Sequence, residues 1–371
     1  MEKINVFSGN EVISRILIGR TIGDLAYCLE PYGHIYTVFD RNVLLKSRGI
    51  MQLSESVLKS GTPMLAIDVS EENKSMETVL EICSWLLRSG ADRDALVLAV
   101  GGGITTDMVG FAASIYKRGV RFAYVSTTLL AQVDAAIGGK TGVNFHDLKN
   151  MLGEIHQPEF TFLCPQVLET LPQRDFLSGA SEMLKTFIIE DGGNYRQAVA
   201  FLKRLADSPH DHRHFIRENY AGLMVLVTEA ARVKAGVVSR DQFESGERRK
   251  LNLGHTFAHA IESLSRKDGR DVTHGEAVAM GVILAARLAE ALAQTGEFEA
   301  EQGLAERLEA DMKQCGLPTD SSYGPEEMVE AMKKDKKAEN GKVHFVLPKA
   351  VGEVVMADLD VDVVVNLLKS H

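Results

Sequence analysis

The stretch "ALVLAVGGGITTDMVGFAASIYKRG" (residues 95–119) decides the fold of the first half of this 371-residue sequence. Residues 95–100 form a continuous apolar run, typical of a strand buried on both faces of a parallel sheet. Three glycines follow, and a helical pattern begins directly after them. A helix start behind a glycine turn can present N–H groups to a phosphate. Because Ile104 and Thr105 break the GxGxxG pattern and tight turns use the same glycines, both interpretations stay open.

The pattern around this stretch predicts two domains. Strand signals at 34–40, 63–69 and 121–126 and a helical stripe at 74–90 predict an α/β sheet. Asp40 ends one of these strands, where its carboxylate would either bind a ribose hydroxyl or cap a helix. Beyond residue 166 most patterns are helical, at 176–190, 195–206, 213–239, 252–265, 275–294 and 301–314, with strands at 342–348 and 352–356. We therefore expect an α/β domain over 1–164 and a mostly helical domain over 165–371.

Composition limits the classes of function. A net charge of −10 argues against general binding to nucleic acid or to an anionic membrane. The sequence shows no apolar run long enough for a membrane span and no signal-peptide pattern at its start. The four cysteines are scattered, which is typical of reduced thiols. We expect a cytoplasmic protein that acts on a small molecule.

The segment "LNLGHTFAHAIESLSRKDGRDVTHGEAVAMG" (residues 251–281) contains the candidate metal ligands. His255 and His259 lie one helical turn apart, but Thr256 stands where an HExxH protease needs glutamate. The pair would either share a metal or satisfy hydrogen bonds in a core, and His274 would either bind a metal or cap a helix. Glu182 offers a carboxylate elsewhere in the sequence, and two histidines with one glutamate are a ligand set of catalytic zinc sites.

Several longer motifs occur in order along the chain. They are "GGGITTDMVGFAASIYKRG", "TTLLAQVDAAIGGKTGVN", "KNMLG", "TLPQRDFLSGASEMLK", "ESGERRKLNLGHTFAHAIE", "HGEAVAMG" and "DKK". Together they resemble the 3-dehydroquinate synthase family of sugar-phosphate cyclases. The resemblance implies an α/β N-terminal nucleotide-binding domain with a mostly α-helical C-terminal metal-binding domain, NAD and one divalent metal, Zn²⁺ or Co²⁺, as cofactors, and a homodimer.

The same resemblance implies a redox-neutral reaction of the shikimate pathway. The substrate would be 3-deoxy-D-arabino-heptulosonate 7-phosphate, and the products 3-dehydroquinate and phosphate. The reaction would begin with transient oxidation by NAD and elimination of phosphate. Re-reduction and an intramolecular aldol step would follow. The enzyme would therefore be a carbon–oxygen lyase of aromatic amino acid biosynthesis.

The resemblance also assigns roles to residues. The metal ligands would be Glu182, His255 and His274. The catalytic residues would be Lys140, Lys185, His259, Asp134 and Glu244. The substrate would contact Arg118, from the neighbouring subunit, and Asn150, Lys234, Arg248, Asn252 and Lys336. NAD would contact Asp40, Glu71, Lys74, Gly103, Asp107, Thr127, Thr128, Lys140, Lys149 and Thr170.

These assignments explain how an acidic protein would bind an acidic substrate. Arg248 and Lys234 suit the carboxylate, the arginine through its bidentate fork. The phosphate would be bound by Lys140, Asn150, Asn252, His259 and Lys336. Each lysine on its own is most often a solvated surface charge, so its place within a motif carries the assignment.

Three departures from the family pattern occur, at Thr106, at Ser126 and at 69–71, and none removes a metal ligand. A threonine at 106 would narrow the space beside the glycine turn. The alternatives are a cyclase for another ketose phosphate, an NAD-dependent polyol dehydrogenase that releases NADH, and an inactive relative. The Glu182, Lys185, His255 and His274 set argues against an inactive relative.

Overall fold

The computed structural model describes residues 1–47, 50, 53, 57–58, 61–146, 148–296, 298–334, 338–339 and 342–369. Its strands are β1 (Glu2–Ser8), β2 (Glu11–Ile18), β3 (Ile35–Asp40), β4 (Met64–Ile67), β5 (Leu96–Gly101), β6 (Arg121–Ser126), β7 (Lys140–Phe145), β8 (Leu148–Ile155), β9 (Phe160–Leu163), β10 (Ala338–Glu339), β11 (Lys342–Ala350) and β12 (Glu353–Asp360).

The helices of the described residues are α1 (Leu25–Leu29), α2 (Arg41–Lys46), α3 (Met76–Arg88), α4 (Gly103–Ile115), α5 (Gln173–Glu190), α6 (Gly192–Ala206), α7 (His212–Glu218), α8 (Tyr220–Arg240), α9 (His255–Lys267), α10 (His274–Gln294), α11 (Leu304–Gln314), α12 (Pro325–Lys334) and α13 (Val361–Lys369). Short 3₁₀ segments at Ile22–Asp24, Tyr116–Arg118, Pro165–Thr170 and Glu247–Asn252 connect some of them. Within the described residues, no helix has the length and apolar character needed to cross a membrane.

The chain forms two compact units. The first comprises Met1–Pro172 and His212–Phe243, and the second comprises Gln173–Asp211 and Glu244–His371. The first unit thus includes α7 and α8, because α8 packs along β1. The boundary at residue 164 between a nucleotide-binding and a metal-binding domain stays a prediction.

The first unit contains a seven-stranded sheet in the order β1-β2-β9-β6-β5-β3-β4. Only the β1–β2 pair is antiparallel. Strand β5 is buried throughout, and its side chains alternate between two cores: Val97 and Ala99 pack with α3 and α4, whereas Leu96 and Leu98 pack with α1. Cover on both faces explains why the sequence of this strand is a continuous apolar run.

The order of the strands reverses beside the glycine turn. The connection after β3 leads outward to β4, whereas β5 returns to the opposite side of β3 and β6 lies beyond it. In open parallel sheets, ligands bind at the carboxyl ends of the two strands where the order reverses. Here those ends are Asp40 of β3 and the turn that follows β5.

The second unit is mostly helical and has one small antiparallel sheet, β10-β11-β12. Its central helix is α10, which packs against α5, α9, α11 and α13. This helix begins with a capping box in which the Thr273 hydroxyl accepts from Glu276 N at 3.3 Å and Thr273 N donates to Glu276 Oε2 at 2.8 Å. The cap fixes His274 as the first residue of α10.

Most patterns identified in the sequence correspond to observed elements, but one predicted helix is divided and several short elements were not predicted. The single helix expected at 213–239 is two helices, because the chain leaves helical geometry at Asn219. The sequence patterns did not predict the hairpin β1–β2, the ribbon β7–β8, or the helices α12 and α13. Short strands and a helix at the end of the chain give a weaker periodic signal than long helices do.

Candidate active site

Three candidate metal ligands converge inside the second unit. Each of Glu182, His255 and His274 offers a ligand atom, and the three atoms all lie within 4.8 Å of one another. Glu182 Oε1 is 3.7 Å from His255 Nε2 and 3.4 Å from His274 Nε2. Glu182 is fully buried on α5, and the two rings come from the first residues of α9 and α10.

Both rings are oriented by contacts on their far sides. His255 Nδ1 lies 3.2 Å from the carbonyl oxygen of Leu253, and His274 Nδ1 lies 3.2 Å from Glu262 Oε1. When Nδ1 donates to these oxygens, the Nε2 of each ring is left as an acceptor that faces Glu182. Glu262 was not among the residues predicted from the sequence, although it lies seven residues after His255 and therefore on the same helix face.

Charge inside the cluster is balanced by Lys185, whose Nζ is 2.5 Å from Glu182 Oε2. Burial alone would raise the pKa of Glu182, but Lys185, His274 and His255 outweigh it and hold the pKa well below its ordinary value. Burial, assisted by Lys185, also holds the pKa of His255 well below normal. Burial would lower the pKa of His274, but the neighbouring carboxylates of Glu182 and Glu262 raise it to about 10.

The spacing of the cluster fits a metal ion better than direct hydrogen bonds. Ligands about 2.1 Å from a tetrahedral zinc ion lie about 3.4 Å from one another. The contacts from Glu182 to the two rings, at 3.4 and 3.7 Å, match that spacing and exceed an ordinary hydrogen bond. Two imidazoles and one carboxylate leave a fourth position for substrate or water.

Glycines bring the three helices close enough to form this cluster. A Cβ at Gly275 would lie 2.0 Å from the Ser178 carbonyl oxygen on α5, one turn before Glu182. A Cβ at Gly281 would lie 2.2 Å from the carbonyl oxygen of Gly254, the residue before His255. Only glycine permits such contacts between backbones.

Other polar residues of the second unit lie in the segment before α9. Asn252 Nδ2 donates to Glu244 Oε1 at 2.9 Å, and Glu244 holds the left-handed φ of 58°. Arg248 is only 2% exposed. The His259 ring packs edge-on against His255, with 5.7 Å between their centroids, and is outside the metal group.

The first unit has a separate polar cluster close to the glycine turn. Lys74 is 5% exposed, and its Nζ is 2.6 Å from Asp107 Oδ2 and 2.5 Å from Asn150 Oδ1. Burial raises the pKa of Asp107, although Lys74 opposes this shift. Asn144 on β7 donates to Glu71 Oε1 at 2.8 Å.

The carboxyl ends of the strands carry further predicted contacts. Thr127 N donates to Gly101 O at 2.9 Å, which places Thr127 and Thr128 beside the glycine turn. Asp40 Oδ1 accepts from Asn42 N at 2.8 Å and therefore caps α2.

A buried ion pair of the first unit joins Lys234 to Asp134. Lys234, which is 6% exposed on α8, pairs with the Asp134 carboxylate and donates to the Asp134 carbonyl at 2.6 Å.

Comparison with known proteins identifies the family. Family models described as 3-dehydroquinate synthase N-terminal and 3-dehydroquinate synthase C-terminal match residues 64–178 and 179–338. The chain belongs to the 3-dehydroquinate synthase family. A 3-dehydroquinate synthase from Pyrococcus abyssi is 39% identical over 327 residues, which make up 88% of this chain and 90% of that protein. These matches confirm the family and the 3-dehydroquinate synthase function that the motifs predicted.

Solved structures of related cyclases confirm the fold class. A 2-epi-5-epi-valiolone synthase from Streptomyces hygroscopicus subsp. jinggangensis, with NAD⁺ and Zn²⁺ bound, has a TM-score of 0.82 and 27% identity over 97% of both chains. A 2-deoxy-scyllo-inosose synthase complexed with carbaglucose-6-phosphate, NAD⁺ and Co²⁺ has a TM-score of 0.79 at 20% identity, covering 100% of this chain and 99% of that one. The second likeness concerns the fold alone.

The remaining described residues predicted from the family motifs are Arg118, Lys140, Lys149 and Thr170. Lys140 and Lys149 have exposed side chains on β7 and β8, and Arg118 is exposed at a left-handed φ of 66°. Thr170 Oγ1 donates to Val167 O at 3.1 Å. Lys336 lies outside the described residues.

One departure from the family pattern has a local explanation. The Thr106 hydroxyl donates to the Gly103 carbonyl at 2.9 Å, and the residue is 1% exposed. Its side chain therefore bonds to the backbone of the first turn of α4.

Proposed function

We propose that this chain performs the 3-dehydroquinate synthase reaction with a divalent metal, Zn²⁺ or Co²⁺, held by Glu182, His255 and His274. The observation that carries the proposal is the convergence of three ligand atoms within 4.8 Å of one another around the buried Glu182. The valiolone synthase binds Zn²⁺, which supports Zn²⁺ here, and Co²⁺ accepts a similar set of ligands. When bound, the metal supplies Lewis acidity toward a substrate hydroxyl, and NAD supplies reversible hydride transfer.

We propose that the first unit binds NAD. The carboxyl ends of β3 and β5 supply Gly103 at a helix start and Asp40 at the position of a ribose contact. The same end of the sheet has the buried Lys74 paired with the half-buried carboxylate of Asp107. Further NAD contacts are proposed for Glu71, Thr127, Thr128, Lys140, Lys149 and Thr170.

The substrate is proposed to be 3-deoxy-D-arabino-heptulosonate 7-phosphate. Arg248 is almost fully buried, and its planar guanidinium suits bidentate hydrogen bonding to the substrate carboxylate. Lys234 is proposed to assist it. Phosphate contacts are proposed for Lys140, Asn150, Asn252, His259 and Lys336.

Side chains of this protein are proposed to transfer protons and to orient the groups that do so. His259 would take part in proton transfer during loss of phosphate, since an imidazole has one nitrogen that can donate a proton and one that can accept a proton. Lys185 would hold Glu182 as a carboxylate, and the Asn252 amide keeps Glu244 in place at 2.9 Å. Asp134 and Glu244 are proposed to accept hydrogen bonds from substrate hydroxyls.

We also propose a cytoplasmic homodimer. The four cysteines are free thiols, which is typical of a reducing compartment. Arg118 is exposed on a constrained turn, from which it would contact the substrate of the partner.

Phosphate release with limiting NAD tests this function. The protein is incubated with Zn²⁺, 3-deoxy-D-arabino-heptulosonate 7-phosphate and NAD at about one-hundredth of the substrate concentration. We expect phosphate far in excess of the NAD supplied, no NADH accumulation and 3-dehydroquinate as the product. Phosphate from another ketose phosphate only would indicate a related cyclase, and stoichiometric NADH would indicate a dehydrogenase.

A further inference from the structure

Glu262 is a buried carboxylate to which neither the family motifs nor the proposed mechanism gives a role. It lies on α9 with 9% of its surface exposed, and its Oε1 is 3.2 Å from His274 Nδ1 on α10. A glutamate is almost never this buried without a partner that compensates its charge.

The two histidines of the cluster are oriented by groups of different strength. His255 has 13% side-chain exposure and contacts a neutral carbonyl, that of Leu253. His274 has 33% side-chain exposure, is the first residue of its helix, and contacts a carboxylate. His274, the more exposed of the two rings, therefore contacts the stronger hydrogen-bond acceptor.

A carboxylate behind a metal-bound imidazole has two effects. It holds the ring so that Nε2 faces the metal, and it makes the ring a better donor of electron density. Loss of such a partner typically costs about 10- to 100-fold in metal affinity or activity.

We propose that Glu262 is a positioning residue that orients His274 toward the metal by accepting its Nδ1–H. The inference rests on the proposed metal site. It assigns to Glu262 a contribution to metal affinity that is separate from any contribution to the fold.

The test compares four variants of the full chain: Glu262→Gln, Glu262→Ala, His274→Ala and the control Glu276→Gln. Glu276 lies two residues beyond His274 and pairs with Arg174 at 2.8 Å, so its change disturbs the same helix end without removing the contact to His274. For each variant, the Zn²⁺ dissociation constant is measured by chelator competition. The Co²⁺ visible spectrum, the NAD dissociation constant and the melting temperature without metal are also recorded.

We expect Glu262→Gln to weaken Zn²⁺ binding about 10-fold and Glu262→Ala about 100-fold. The Co²⁺ bands should shift, while NAD affinity and the metal-free melting temperature stay as in the wild type. Glu276→Gln should keep wild-type Zn²⁺ affinity. Glutamine matches glutamate in shape, so Glu262→Gln should fold. It therefore still tests the proposal if Glu262→Ala fails to fold.

Two results would overturn the proposal. Wild-type Zn²⁺ affinity in both Glu262 variants would remove the positioning role, as would a loss of Zn²⁺ affinity matched by losses in NAD affinity and melting temperature. His274→Ala separates this from the proposed function: wild-type Zn²⁺ binding in that variant would instead contradict the metal site itself.

Discussion

Arg248 lies within the 3₁₀ segment Glu247–Asn252 with only 2% of its surface exposed, and Lys185 is 1% exposed beside Glu182. Removing such charges from water costs several kcal/mol per ion unless a partner compensates them. Glu182 compensates Lys185 directly, at 2.5 Å. Arg248 is proposed to bind the substrate carboxylate because its planar guanidinium can donate two parallel hydrogen bonds to it.

Changing Arg248 to Lys keeps the charge but removes the planar fork. We expect KM for the substrate to rise about 10-fold or more, whereas the NAD dissociation constant changes less than about twofold. Arg249→Lys is the matched control, because Arg249 is the exposed neighbour in the same segment. Equal losses for substrate and NAD would count against the carboxylate role.

The cysteines provide a pH prediction. Burial raises the pKa of Cys28 to about 11 and the pKa values of Cys164 and Cys315 to about 12. Because the thiolate is the reactive form, raised pKa values predict little reaction at pH 8 and faster reaction only as the pH approaches 11. Iodoacetamide labelling followed by mass spectrometry should modify these thiols at pH 8 only after unfolding. Rapid labelling of native Cys164 would contradict the described burial.

At the residue scale, the motifs predicted which side chains converge, but not what orients them. Glu182, His255 and His274 occur in long motifs, and the structure brings all three together. Glu262 ends the same motif as His255, but a glutamate on a helix is most often solvent-exposed, so its place in the motif did not indicate a role. Its partner, His274, is fixed by the packing of α9 on α10, which no local pattern specifies.

At the scale of elements, two backbone contacts determine where the metal ligands lie. Gly275 on α10 meets Ser178 on α5, and Gly281 meets Gly254 directly before α9. Gly275 N also donates to Ser178 Oγ at 3.0 Å. Any side chain at these glycines must push the helices apart, so the cluster depends on residues that bind nothing themselves.

Gly275→Ala should therefore damage both packing and metal binding. Its Cβ would lie 2.0 Å from a carbonyl oxygen, so we expect a loss of stability of about 2 kcal/mol or more and much weaker Zn²⁺ binding. The matched control is Gly193→Ala, at the second position of α6, where the nearest atom is 3.4 Å away. That change should be neutral or slightly stabilising. Melting temperatures and Zn²⁺ titrations of the two variants measure the difference, and a tolerated Gly275→Ala would refute the close contact.

Elements with a strong local pattern were predictable, and breaks within a pattern were not. Strand β5 follows from its uninterrupted apolar run, and α10 from its long apolar periodicity. The break between α7 and α8 at Asn219 was not predictable, because the apolar pattern continues across it. There the Asn219 side chain donates to Phe215 O at 2.9 Å and ends the shorter helix.

At the scale of the whole molecule, the candidate metal ligands and the residues of the glycine turn belong to different compact units. Each unit is built around its own element, the sheet in the first and α10 in the second. The sequence predicted two parts, but not the return of 212–243 to the first, because that depends on packing along β1 far away in sequence.

This separation predicts independent stabilisation by the two cofactors. A ligand at about 100 times its dissociation constant stabilises a folded protein by about 2.7 kcal/mol. Zn²⁺ and NAD should each raise the melting temperature of the wild type. In His274→Ala the shift from Zn²⁺ should disappear and the shift from NAD should remain, as measured by calorimetry. Loss of both shifts would contradict the assignment of the two sites to separate units.

Metal content in two histidine variants tests the central claim most directly. His255 and His259 lie one turn apart on α9, yet only His255 belongs to the metal group. After dialysis against trace Zn²⁺, the wild type and His259→Ala should retain about one metal ion per chain, while His255→Ala should retain almost none. Equal metal content in the two variants, whether high or low, would contradict the Glu182–His255–His274 site.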